Sequence, residues 1–403
     1  MTRVLMMSDV YFPRINGVST AIETHRSGLA AHGVEVRLIA PRYGDEEDQP
    51  DILRLPGWKV PSDPEDRIVP PLALRRATLK AAAWADLIHI QTPFSAHYAG
   101  IAAAKRHRLP VVATYHTLFE EYLQLYAKRF PAGPLRALAR AVSRHQCNQL
   151  TTTIVPSLAM QERLREYGIR APLHVLPTGV PLGQFTATER PAQRARFRAR
   201  HGIPPDQPVA LFVGRAAHEK NIGFLIEALA LARRTCPNLL LLIAGEGPAL
   251  ADLQRQAERL GQSAHVRFLG YLDRAHELPD CYAAADLFAF ASHTETQGLV
   301  LIEAMAAGLP AVALAVMGTR DLLAAGRGAL TPSADLADFA AALAQLAGDA
   351  ALRERLGREA CELAQEWSDE ALTARLAALY RELIANRPIP ETAWKAHSKA
   401  KQV

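Results

Sequence analysis

Short apolar runs alternate with longer segments of mixed polarity along almost the whole chain. Residues 4–8, 34–40, 86–91, 110–117, 152–155 and 173–180 are mainly aliphatic and are bounded by polar, Gly or Pro positions. A continuous apolar run of this length reads as a strand buried on both faces of a parallel sheet. Between them the spacing predicts helices over 19–32, ended by Gly33, over 96–105, and up to Gly168. Residues 44–82 read as loop-rich, with the acidic run at 45–48 as a solvated face. After a linker and a charged helix at 190–201, the pattern restarts. Strands are expected at 208–215, 239–244, 266–272, 287–291 and 311–316, and helices at 222–234, 299–307 and 366–385. This is an α/β chain of strand–helix–strand units. Its 403 residues are too many for one core, so two Rossmann-like domains are expected, with no sequence repeat between them.

The candidate chemistry sits where strands end. Strand 287–291 opens into Thr294, Glu295, Thr296, Gln297 and Gly298, and a helix begins at Leu299 and Val300. Glu295 and Glu303 are spaced E-x7-E, one in the loop and one about a turn inside the helix. Gly298 permits close approach of a ligand, and the unpaired N–H groups of the helix start suit a phosphate. Either glutamate alone is explained by the helix dipole. Together with Gly298, Gly308 and Pro310 they suggest a diphosphate site. Arg215 and Lys220 bracket a loop after another strand and supply two cations for such a group. Gly245 and Gly247 follow a third strand. In the first half, Asn16-Gly17 precedes a helix and His116 lies just beyond a strand end, where α/β sheets bind ligands. The G-x-G-x-x-G fingerprint is absent, which argues against a dinucleotide enzyme. No D-x-D occurs.

The E-x7-E stretch resembles the signature of retaining glycosyltransferases of family 4, which have the GT-B fold. The resemblance runs through FPRINGVST (12–20), TYHT (114–117), HTLFEEY (116–122), the V-G-R-x4-K-N frame (213–221) and IAGEGP (243–248). It implies two Rossmann-like domains facing across a cleft: an acceptor-binding domain at 1–185 and a donor-binding domain at 186–365. A helix at 366–386 would return to the first domain, and 387–403 would form a polar tail. It also implies site roles. Arg215 and Lys220 hold the donor diphosphate, Glu303 the ribose and Glu295 the sugar, with His116 beside it. Gly17, Gly245, Gly298, Leu299 and Val300 approach the donor. Catalysis proceeds with retention, by front-face attack in which the leaving phosphate takes the acceptor proton, without a metal or covalent nucleophile. HTLFEEY resembles diacylglycerol glycosyltransferases, which points to UDP-glucose as donor, a lipid acceptor, and acceptor contacts from Glu120, Glu121 and Tyr122. PTGV (177–180) resembles the family's PNGVD segment, with Thr178 and Pro181 substituted.

Charge and composition narrow the partners. Residues 1–185 carry a net charge of +6 and the remainder −1. No acidic residue falls between Glu121 and Glu162, and the basic segment 128–144 places Arg136, Arg140 and Arg144 on one helix face beside Leu135, Leu138 and Val142. Such a helix can lie on an anionic membrane surface or dock by its apolar side. No nucleic-acid-binding module is recognisable. The four cysteines are dispersed, without zinc or disulfide spacing. No signal peptide or membrane span is evident, so a cytoplasmic protein is expected, peripheral on the inner face of the cell membrane if the helix binds there. Other readings are a family 4 transferase to a soluble sugar or inositol-type acceptor, a GT-B nucleotide-sugar epimerase, or a non-catalytic nucleotide-sugar binder.

Overall fold

Seven parallel strands form the first sheet, in the order β3-β2-β1-β6-β7-β8-β9, and six form the second, in the order β12-β11-β10-β13-β14-β15. These come from a computed structural model that describes residues 1–60, 63–116, 132–185 and 189–386. The first sheet comprises β1 (Thr2–Met7), β2 (Val34–Arg42), β3 (Ile52–Pro56), β6 (Leu87–Ile90), β7 (Val111–Thr114), β8 (Thr152–Val155) and β9 (Leu173–Val175). The second comprises β10 (Val209–Val213), β11 (Leu240–Ala244), β12 (Val266–Gly270), β13 (Leu287–Phe290), β14 (Ala311–Ala313) and β15 (Ala329–Leu330). The apolar runs are strands for the reason their pattern suggests: β6, β8, β10, β11 and β13 are buried at every position, which only a sheet covered on both faces allows.

The chain divides into two compact units. The first contains Met1–Val155, Leu164–Leu176 and the chain from Thr373 onward; the second contains Pro156–Arg163 and Pro177–Leu372. In each sheet the strand order reverses once, between β1 and β6 and between β10 and β13. At such a point the loops leaving the two strands part to opposite faces and open a crevice at their C-terminal ends.

Two expectations are corrected. Residues 44–82 are not mainly loop: they hold β3, an antiparallel hairpin of β4 (Trp58–Val60) and β5 (Asp63–Ile68), and helix α2 (Pro71–Ala82). As an edge strand, β3 is half exposed and reads as mixed polarity, and Pro71 starts a helix where its missing N–H is no loss. The last helix begins at Asp369, not 366. Trp367 O accepts from Val180 N, and Asp369 N donates back to Val180 O, at 3.0 Å each, so Ser368 forms an isolated bridge with Val180 before the helix begins. A side chain at Gly179 would lie 2.3 Å from Asp369 Cα, so only glycine permits this pairing.

The charged helix over Arg190–Arg200 is held by carboxylates: Arg196 pairs with Asp280, and Asp286 binds two more of its arginines. Asp286, just before β13, accepts from Val209 N at 2.8 Å, Arg194 at 2.7 Å and Arg198 at 2.9 Å. Arg198 is buried. Removing Asp286 leaves its guanidinium without a counter-charge. Asp286→Ala is expected to lower stability by about 3–5 kcal/mol, measured by urea unfolding.

Candidate active site

In the second unit, the loops after β10 and β13 bring Lys220 and Glu295 together at the strand-order reversal. Lys220 ends a 3-10 turn (His218–Lys220), and its Nζ is ion-paired with Glu295 Oε1. Both side chains are largely enclosed. The Glu295 loop is pinned from two sides. Gly318 N donates to Glu295 O at 2.9 Å, and the Gln297 side chain closes a pair of bonds with the Thr178 backbone, 2.8 Å from Thr178 N and 2.5 Å to Thr178 O. Gly298 has φ +84 and caps the helix Leu299–Ala306, whose first amides, at Leu299 and Val300, have no partner one turn back. Arg215 lies exposed one residue beyond Gly214 and has no side-chain partner among the described residues.

Glu303 is deeper, only 3% exposed. Arg274 is ion-paired with its Oε1, and the hydroxyl of the buried Tyr282 donates to Oε2 at 2.9 Å. Burial pulls Arg274 down, but Glu303 more than offsets this and holds it above its ordinary value. Arg274, Tyr282 and Gln297 were not evident from the sequence. They meet their partners across 29, 21 and 119 residues, and no local pattern reports such pairings.

Gly245 has φ +134, and a Cβ there would lie 2.0 Å from Gly214 O. The glycine is therefore demanded by the chain's own packing: it lets the β11 loop lie directly on the Gly214–Ala216 segment, where Ala216 N donates to Glu246 O at 2.9 Å.

In the first unit, Asn16 caps helix α1 (Gly17–Leu29), its Oδ1 accepting from Ser19 N at 2.9 Å. A Cβ on Gly17 would meet nothing within 4 Å, so no packing within the chain requires glycine there. His116 follows β7, and its Nε2 lies 2.8 Å from Gln91 Oε1 at the end of β6. Asp9, beyond β1, accepts from Thr92 Oγ1 at 2.7 Å and from Ala96 N at 3.1 Å, at the start of helix α3 (Ser95–His107). Burial pushes Asp9 up to about 6.

The acceptor candidates Glu120, Glu121 and Tyr122, with Lys128 and Arg129 of the basic segment, lie outside the described residues. Helix α4 (Ala132–Cys147) buries Ala139, Ser143, Gln146 and Cys147, with Leu135 and Val142 half-buried beside them. Small residues let a helix approach the sheet closely, and Leu138 is left 57% exposed. Arg140 stacks on Tyr167 at 5.3 Å, and the Arg144 stem passes over Gly168. These two arginines therefore pack against the chain. No described helix is long and apolar enough to cross a membrane.

The fold and the enclosed carboxylate–cation site define a glycosyltransferase of the GT-B class, and the comparisons with known proteins agree. The Glycosyltransferase Family 4 model matches residues 15–184, and the Glycosyl transferases group 1 model matches 193–362. The chain belongs to glycosyltransferase family 4. It is 32% identical to the alpha-monoglucosyldiacylglycerol synthase of Acholeplasma laidlawii over 77% of this chain and 79% of that one. It is 31% identical to the D-inositol 3-phosphate glycosyltransferase of Mycolicibacterium smegmatis over 90% and 86%. Among solved structures it resembles sucrose-phosphate synthase of Thermosynechococcus elongatus (TM-score 0.75, 24% identity, 96% of this chain and 100% of that one). It also resembles Anabaena HepE in complex with UDP-glucose (TM-score 0.74, 20% identity, 95% and 100%). At these identities the structural likeness shows the fold.

Three buried histidines and the half-buried His116 make the first unit acid-sensitive. Burial lowers His25 and His97 to about 4 and His116 to about 3, and His89 well below the ordinary value. They are neutral when folded and protonate near 6.5 when unfolded, so the unfolded state takes up more protons as pH falls below 6.5. Asp9 acts oppositely, because its raised value favours proton uptake by the folded state between about 6 and 4. The histidines outnumber it. Stability is expected to be full above pH 6.5 and to drop toward pH 4, by on the order of 3 kcal/mol for His25 alone. Urea midpoints at pH 7, 5.5 and 4.5 measure this.

Proposed function

We propose that this protein is a retaining hexosyltransferase that moves glucose from UDP-glucose to a hydroxyl of a membrane lipid such as diacylglycerol. The observation that carries the donor half is the cluster at the ends of β10 and β13: Lys220 against Glu295, exposed Arg215, and Glu303 held by Arg274 and Tyr282. Negative charge grows on the leaving diphosphate, and Lys220, held by Glu295, with Arg215 beside the same loop stabilise it more in the transition state than in the ground state. Glu303 accepts from the ribose hydroxyls. Glu295 orients the sugar and keeps Lys220 in place, and His116 contacts the sugar. The first amides of the helix Leu299–Ala306 donate to phosphate oxygens. The bond from anomeric carbon to phosphate oxygen breaks as the bond to the acceptor oxygen forms on the same face, and the acceptor proton passes to the phosphate. Neither glutamate acts as a nucleophile. Lys220 and Arg215 carry the charge that a divalent ion would otherwise carry, so transfer is metal-independent.

The lipid half of the reading rests on the HTLFEEY resemblance, and the names of relatives support it. A surface of the first unit supports it too. Trp58 and Ile68 are cross-strand partners in the hairpin and stand 68% and 45% exposed, Leu72 at the start of α2 is 69% exposed, and Lys59, Arg75 and Arg76 are exposed as well. Apolar side chains flanked by cations suit an anionic bilayer. This surface adds to the α4 face, where Arg136, Arg140 and Arg144 are exposed. The protein would then work at the cytoplasmic face of the cell membrane. The second reading, an inositol-type acceptor, is favoured by the length of the match to the inositol-phosphate transferase and by the FPRINGVST loop.

The test is transfer from radiolabelled UDP-glucose with and without diacylglycerol in anionic vesicles, in the presence of EDTA. Label is expected in the lipid phase at an undiminished rate; label in a soluble product, or loss of activity with EDTA, overturns the acceptor or the metal-free reading respectively. Glu303→Ala and Lys220→Ala are each expected to lower kcat by at least about 100-fold with an unchanged circular-dichroism spectrum. Near-normal turnover in either folded variant sinks the donor-site assignment.

A further inference from the structure

Beneath His116 the first unit carries a buried ladder of polar side chains. His89 and Gln91 are two residues apart on β6 and its end, as Thr114 and His116 are on β7 and its end, so each pair shares one face of the sheet. The rungs are His89 Nε2 to Thr114 Oγ1 at 2.7 Å, and His116 Nε2 to Gln91 Oε1 at 2.8 Å. The other ring nitrogen of His89, Nδ1, lies 2.6 Å from the hydroxyl of Tyr380, on the C-terminal helix Asp369–Ala385. From α1, His25 stacks on His89 with ring centroids 6.5 Å apart. His89 and Tyr380 are fully buried, and Gln91 is 1% exposed.

Two features set Gln91 apart. Its amide oxygen only accepts, so the proton of the neutral His116 ring sits on Nε2, and Nδ1 is the ring's acceptor. Its amide nitrogen is buried without a partner. An apolar side chain of similar size would avoid that orphaned donor, which folded proteins rarely tolerate. The bond from Oε1 to His116 is what glutamine provides here and an apolar residue cannot.

We propose that Gln91 is a positioning residue for His116: its Oε1 fixes the orientation and tautomer of the ring through the bond to Nε2, and the Tyr380–His89–Thr114 rung braces the two strand ends from below. The proposal rests on the reading that His116 contacts substrate. The titratable groups packed against the ladder are His25 from α1, His89 from β6 and Tyr380 from the C-terminal helix. Burial keeps all three neutral near pH 7.

The experiment uses the full-length protein and three variants. Gln91→Leu is expected to lower kcat about 100-fold with little change in KM for UDP-glucose, since misplacing a reacting-site group costs turnover more than binding. Gln91→Glu places a carboxylate against Nε2 and draws the imidazolium form up by roughly 1–3 units, so its activity per folded molecule falls on the acid side of about pH 6 while that of the wild type stays level. If Gln91→Leu changes only the melting temperature, and Gln91→Glu keeps the wild-type pH profile, Gln91 is structural and the proposal is overturned. His116→Ala separates the two readings: wild-type turnover in that variant removes the substrate contact itself, whatever Gln91 does. Should Gln91→Leu fail to fold, nitrogen NMR of histidine-labelled wild-type protein decides. His116 protonated on Nε2 supports the proposal, and protonation on Nδ1 overturns it.

Discussion

A charge held out of bulk water needs a counter-charge beside it, and the second unit's site is arranged around that constraint. Glu295 and Glu303 follow the same strand, yet each is matched by a cation from a different loop: Lys220 after β10, and Arg274 after β12. The pairs do more than neutralise. Each sets the direction of a carboxylate before any ligand arrives, so less ordering remains when one binds. The rest of the unit serves that placement. The reversal of strand order between β10 and β13 parts the loops, the Gln297–Thr178 pair and the Gly318–Glu295 bond hold the loop's height, and Gly245 lets a third loop pack beneath.

Much of this was legible before the structure because it is local. Strands buried on both faces announce themselves as apolar runs, and Arg215, Lys220, Glu295 and Glu303 stand at fixed spacings from strand ends. What was not legible is long-range or half exposed. Tyr282 presents as one more core aromatic, and only the fold shows its hydroxyl on Glu303. Gln297 looks like a loop residue, although it is buried and bonded across 119 positions. The hairpin at Trp58 was hidden because its strands, WKV and DPEDRI, are rich in charge and lack the apolar contrast that marks a core strand.

Helix α4 and Gly245 each have a structural reason that their local pattern does not report. The arginines of α4 do share a face, but Arg140 and Arg144 find partners in Tyr167 and at Gly168, while the helix seats itself through Ala139 and Ser143. Periodicity identifies a face; it does not say which face a neighbouring sheet accepts. Gly245 lies in the loop its motif indicates, yet the close approach it allows is to Gly214 O of the same chain.

The first unit takes its final elements from the far end of the sequence, and this bears on how the molecule is made. A ribosome releases β1 to β9 long before it reaches Thr373. Until then the hydroxyl that meets His89 does not exist, and Gly28 lacks the threonine that packs on it. Both segments of the second unit, Pro156–Arg163 and Pro177–Leu372, are by then already made. The usual N-terminal-first order of completion is therefore inverted. The later-synthesised unit has all its residues first, and the earlier one lacks its last helix until the nascent chain ends.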